Sequence, residues 1–268
     1  MIGPMARSVD DLVLALDVIA GPDEAAEGRA YRLSLPPARG EKFSDYQVLV
    51  IAEHPLLPTS AAVAASLDRL SKGLVAAGAD VRRETPLLPD LGASAKVYVK
   101  LLNAFLSAGI PDDRYQELRS AAEKIPAEDQ SLVADLMRGA LMSHRDWVRT
   151  DLARQGLRQR WRALFQGFDV VICPPASTPA FPHDHTEPQT ARRIAVDGKE
   201  FPYLQLLVWA DPATTCGLPA TVVPIGVADG LPVGVQIIGP EYEDRTPLAF
   251  ARLVEREFGG FVAPPGYV

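Results

Sequence analysis

A chain of 268 residues that is 47% apolar and 23% charged has the composition of an ordinary globular protein, with material for one substantial core. Its formal charge of −7 gives no electrostatic basis for a nucleic-acid or anionic-membrane partner. With no apolar run near the roughly 20 residues of a membrane span, no recognisable secretory leader and only Cys173 and Cys216 as thiols, the chain reads as cytoplasmic.

Ser8 is a good N-cap, and Asp10 and Asp11 follow in the first turn, where the helix dipole favours negative charge. Leu12, Ala15, Leu16 and Ile19 recur at helical spacing until Gly21-Pro22 stops the helix. The stretch to about Asp45 is polar and irregular. Residues 47–52 are continuously apolar after Gln47, as expected of a strand buried on both faces. Ser60 caps a second helix with Val63, Leu67, Leu70, Leu74 and Val75 as its apolar stripe, and a short strand starts at Asp80. Strand, helix and strand in this order predict a βαβ unit with parallel strands.

Helical periodicity fills 93–166, broken near Gly109-Ile110-Pro111 and at Pro126. Residues 168–173 return to a buried strand that runs into Pro174-Pro175. Near the C-terminus, 220–226 and 233–239 flank Asp229-Gly230, a hairpin signal with a connection read here as longer than two residues. Asp244 or Thr246 caps a last helix to about Phe258. The whole of 1–268 reads as one α/β domain with a mixed sheet flanked by helices.

Four candidate clusters have plain structural explanations. Ser94 and Lys96 diverge by about 200° on a helix, so they cannot share a proton, and the segment reads as a solvated helix start. His183, His185 and Glu187 offer metal-ligand types but no fourth ligand, which favours a solvated loop. Cys173 and Cys216 lack a recognisable histidine partner and read as buried thiols. Arg145, Arg149, Arg154, Arg158 and Arg162 form a stripe that reads as solvent-facing, opposite the core face of Leu157, Trp161, Leu164 and Phe165.

Four blocks in order carry a resemblance. Gly3-Pro4-Met5-Ala6-Arg7-Ser8-Val9 resembles a run of amidase-signature enzymes. Phe168 to Pro179 is similar to that family's strand ending in a Thr-Pro-rich loop. Asp211 to Ala220 resembles its Pro-Ala-Asn-x-x-Gly-x-Pro-Ala block, with Thr214 where the family often has asparagine. Asp229 to Gly239 resembles its Asp-Gly-Leu-Pro-Val-Gly-Leu-Gln hairpin.

The resemblance implies the C-terminal half of an α/β/α amidase. Such an enzyme hydrolyses a carboxylic amide C–N bond through a serine acyl-enzyme, without a cofactor. The family's catalytic lysine, Gly-Gly-Ser-Ser-Gly loop and nucleophile loop have no counterpart here, so the chain is expected to be a catalytically incomplete piece with no catalytic residue of its own. The expected substrate-binding residues are Pro175, Thr178, Trp209, Thr214, Cys216 and Gly217, at strand ends and in Pro/Gly-rich turns. A small-molecule amide is the expected partner, and self-association through an exposed half of the sheet is a second expectation. The alternative is a non-catalytic α/β interaction module.

Overall fold

The computed structural model describes residues 3–23 and 27–267, so Met1 and Ile2, which precede the first family-like block, lie outside the described residues. Helix α1 (Val9–Ile19) starts at Ser8, whose hydroxyl accepts from the Asp11 N–H. Strand β1 (Gln47–Val50), helix α2 (Ala61–Ala76) and strand β2 (Asp80–Arg82) form the expected unit, with β1 and β2 parallel. Helices α3 (Leu91–Leu106), α4 (Asp112–Ala122), α5 (Leu132–Ala140) and α6 (His144–Leu164) fill the next stretch. Strand β3 (Val170–Cys173) follows and pairs parallel to β1 on its other side.

After β3 come a small hairpin, β4 (Arg193–Val196) and β5 (Lys199–Pro202), a 3₁₀ segment Tyr203–Trp209 and the single turn α7 (Asp211–Thr214). The long hairpin β6 (Ala220–Ala228) and β7 (Leu231–Ile238) adds antiparallel strands, giving the order β2-β1-β3-β7-β6. Helix α8 (Arg245–Phe258) ends the fold, with Asp244 at its N-cap. Among the described residues no helix is long and apolar enough to cross a membrane.

The central strands explain why the sheet is a wall between two cores. Val48, Val50, Val170 and Ile172 point to one face, where α1, α2 and α8 bring Val9, Leu70, Leu74, Phe250 and Val254. Leu49, Ile51, Val171 and Cys173 point to the other, against Val99, Trp161, Leu164 and Trp209. Alternation of two apolar sets is what makes these strands read as unbroken apolar runs. On the second face α5 crosses α3 backbone to backbone. A Cβ on Gly139 would lie 2.6 Å from the Lys100 Cα, so only glycine fits.

Several expectations need correction. The β6–β7 connection is a two-residue turn, since Ala228 pairs with Leu231 and Asp229 and Gly230 both take positive φ (53° and 78°). The β4–β5 hairpin, with Asp197-Gly198 in the same conformation, was not expected at all. Ile19 and Val75 are exposed: Ile19 is the last residue of α1, and Val75 is turned about 100° round α2 from the buried Leu74. The α6 arginines are not simply solvent-facing: Arg158 and Arg162 both bind Glu241, and Arg154 binds Asp151. Ser94 is fully buried rather than solvated.

Candidate functional site

Parallel strands β1 and β3 deliver their following loops to the same rim of the sheet, where open α/β sheets hold ligands. The two loops are tied together: the Ser60 N–H donates to the Ser177 carbonyl at 2.8 Å. Thr59 steadies the first loop by donating to the Ala52 carbonyl at 2.6 Å. The segment Tyr203–Gly217 lies across the second loop. There the Trp209 indole donates to Ser177 Oγ at 3.0 Å, in a fully buried contact.

Beneath this bond lies Gln236 of β7. Its amide donates to the Trp209 carbonyl at 3.0 Å and to Cys173 Sγ at 3.2 Å. His54 meets the Trp209 ring edge-on at 5.5 Å, and its Nδ1 accepts from the Leu56 N–H. The result is a neutral, buried set of hydrogen bonds joining both loops, the 3₁₀ segment and the sheet.

Burial sets the charge states here. It pushes His54 down to about 4, with Leu91 and Asp90 acting weakly the other way, so the imidazole is neutral near pH 7. It pushes both thiols up to about 12, so Cys173 and Cys216 are not nucleophiles. It also pushes Asp211 up to about 6, against the hydrogen bonds from Thr215 and Ser94. The arrangement can hold a shaped wall and present backbone and hydroxyl groups at its edge; its buried groups are not poised to attack a carbonyl.

The six sequence-expected residues fall in two layers. Trp209 and Cys216 are fully buried and support the rim from below. Pro175 and Thr178 are half-buried on the second loop, where the Thr178 hydroxyl donates to the Pro179 carbonyl at 2.6 Å. Thr214 and Gly217 are exposed at the end of α7, with Gly217 in the left-handed region (φ 67°). Sequence reasoning missed Ser177, Gln236, His54, Asp211, Ser94 and Thr215. Two had a signal: Gln236 is the one polar side chain in 233–238, and Asp211 is the one charged residue between Glu200 and Asp229.

Two open clefts, of about 450 and 730 Å³, lie instead at the far end of α3, among Ala104, Tyr115, Met142, His144 and Trp147 and beside Lys100 and Arg138. Their charges are already committed, Lys100 to Asp135 and Arg138 to the carbonyls of Pro126 and Asp129. Among the described residues no group of three His, Cys, Asp or Glu gathers to hold a metal, and His183 and His185 stand 5.9 Å apart in an irregular loop.

Comparison with known proteins gives a consistent result. A family model described as Amidase matches residues 1–248. A glutamyl-tRNA(Gln) amidotransferase subunit from Thermus thermophilus is 28% identical over 277 residues, covering 95% of this chain and 55% of that protein. Indoleacetamide hydrolase of Bradyrhizobium diazoefficiens is 25% identical over 265 residues, covering 96% of this chain and 46% of its own.

The fold agrees. The glutamyl-tRNA(Gln) amidotransferase subunit from Thermotoga maritima superposes with a TM-score of 0.70 at 22% identity, covering 98% of this chain and 55% of that one. A bacterial aryl acylamidase of the amidase-signature family superposes with a TM-score of 0.69 at 20% identity, over 96% of this chain and 53% of the other. The chain spans about half the length of the relatives it matches.

Proposed function

This chain belongs to the amidase family, and from that premise we propose that it forms one wall of the acyl pocket of an amidase. The whole enzyme hydrolyses a carboxylic amide C–N bond through a serine acyl-enzyme, without a metal or organic cofactor. The nucleophile, its lysine and its glycine-rich loop are not among these 268 residues, so the chain alone is inactive. Thr178, Thr214, Gly217 and Pro175 face the substrate, and Trp209 and Cys216 hold them in place. The unpaired thiols suit a reducing, cytoplasmic setting.

The observation that carries this reading is the Trp209–Ser177 bond, which holds the segment leading into the family-like block at Asp211 against the loop that follows β3. Self-association is part of the proposal: β6 is an edge strand among the described residues, and Val222 and Val227 are exposed on it.

The test has two arms on the purified chain. In the first, a panel of aliphatic and aryl amides is incubated with it, and no turnover is expected. Hydrolysis that tracks the protein through purification overturns the claim of incompleteness. In the second, the same amides at millimolar concentration are followed by backbone amide NMR, with shifts expected at Thr178, Thr214 and Gly217. Shifts confined to the α3–α6 clefts, or none anywhere, overturn the pocket and leave the non-catalytic module as the reading.

A further inference from the structure

Asp211 is an odd residue to find under this rim. It is fully buried. Its Oδ1 accepts from Ser94 Oγ at 3.1 Å and from Thr215 Oγ1 at 2.5 Å, while its Oδ2 is buried without a hydrogen-bond partner. Among the described residues no cation pairs with it. Ser94 comes from α3 and Thr215 from the end of α7, so this one carboxyl joins a long helix to the turn 214–218.

The surrounding groups offer no compensating charge. Tyr98 faces Asp211 from α3 and is itself pushed up, chiefly by burial and secondly by the nearby carboxyl. Cys216 faces it from the turn, and senses Arg154 and Arg158 of α6 and Glu241 as well. Those arginines are already bound to Asp151 and Glu241. His54 stands beyond Trp209 and is neutral near pH 7.

A buried carboxylate with no cation and one idle oxygen is costly, whereas the neutral acid leaves Oδ1 free to accept both hydroxyls. We propose that Asp211 is a proton-dependent positioning residue: its carboxyl ties α7 to α3 through Ser94 and braces Thr215, and because burial without a cation or a partner for Oδ2 outweighs those two bonds, loss of its proton favours opening of the turn that carries Thr214 and Gly217. Burial raising the carboxyl to about 6 agrees with this.

The direction follows from linkage. Between pH 3.8 and about 6 the opened turn loses the Asp211 proton while the closed turn keeps it, so opening becomes easier as pH rises. Above about 6 both forms are ionised and the effect levels off. A two-unit difference corresponds to about 100-fold in the opening equilibrium. This coupling belongs to the chain's own fold and operates whether or not the rim binds an amide.

The test is Asp211→Asn, which keeps an oxygen acceptor and places an amide where the acid carries its proton. Hydrogen exchange of residues 205–220, corrected for intrinsic rates, is followed from pH 4 to 7 in both proteins. His54 titrates over part of this range in wild type and variant alike, so the ratio between them isolates Asp211. The ratio of wild-type to variant opening is expected to rise by about 30-fold from pH 4 to pH 6 and to flatten above that. A ratio constant with pH overturns the proposal.

Carbon-13 titration of the aspartate carboxyls in the unmutated chain is independent of how the variant folds. One carboxyl is expected to titrate well above the rest, and Ser94→Ala is expected to raise it further by removing a donor. No aspartate above the ordinary range also overturns the proposal.

Discussion

The two ends of the parallel pair β1–β3 are fastened in opposite ways. At the carboxyl end, where the rim lies, neutral groups under cover make the connections: Ser177, Trp209, Gln236 and a neutral His54. At the other end a charged staple does so close to water. Arg39 donates to both oxygens of Glu243, to Asp169 and to the carbonyls of Phe165 and Phe168. Asp169 in turn accepts from the Gln47 N–H at 2.8 Å. Glu243 is the main reason the Arg39 guanidinium holds its proton more tightly than usual.

The contrast has a physical logic. Ions near water keep part of their hydration and gain from bidentate geometry, so they can fasten a partly exposed end. Groups fully covered from water cannot carry unpaired charge without large cost, so the buried bonds at the rim join neutral donors and acceptors. Asp211 is the exception, and it sits at the rim itself.

Three substitutions put this contrast to the test. Arg39→Ala has the largest expected effect, about 3 kcal/mol in denaturant unfolding, because several charge-assisted bonds go at once. The difference from wild type is expected to shrink at about 1 M salt, where the screening length is short. A loss below about 1 kcal/mol, or one indifferent to salt, would show that the staple is ornamental.

His54→Asn comes next, and its signature is in pH. With the native imidazole held down at about 4, the unfolded chain takes up a proton first as pH falls below 6.5. Wild type should therefore lose about 2 kcal/mol relative to the variant between pH 6.5 and 4. Parallel stability curves for the two proteins would contradict a buried neutral histidine.

Ser177→Ala has the smallest effect, about 1–2 kcal/mol, from leaving the Trp209 N–H without a partner. Unlike the first, this loss is expected to be the same at low and high salt. Salt dependence equal to that of Arg39→Ala would erase the distinction between the two ends.

Much of the scaffold was legible because it depends on local chemistry. Ser8 and Ser60 announced α1 and α2 as N-caps, and the continuous apolar runs at β1 and β3 declared strands covered on both faces. The β4–β5 hairpin was also written in the sequence, as Asp197-Gly198 between short strands, with Ile194 and Val196 buried in alternation. Its brevity, four residues a side, hid it among prolines and polar residues.

The site was legible only in outline. Proline-rich loops marked where the rim would be, but the bonds that make it a unit join residues far apart in sequence. Trp209 reaches Ser177 across 32 positions, Gln236 reaches Cys173 across 63, and Ser94 reaches Asp211 across 117. Helical spacing correctly separated Ser94 from Lys96. It could not reveal that the face carrying Ser94 would be covered by α7, and so a structural serine was read as a solvated one.

The two sides of strand β1 are also closed by partners at very different distances along the chain. Its β2 side closes within a local βαβ unit, whereas its β3 side is sealed by contacts such as Gln47 to Asp169, 122 residues away. On a ribosome the first pairing is available as soon as β2 emerges, while the second waits until four helices have been made. During that interval one edge of β1 and the apolar side chains Val48, Leu49 and Val50 have no native neighbour on that side. Such a high-contact-order closure is intrinsically slow, so capture of β3 is the expected bottleneck in folding and the stage at which a holdase chaperone would protect the chain most.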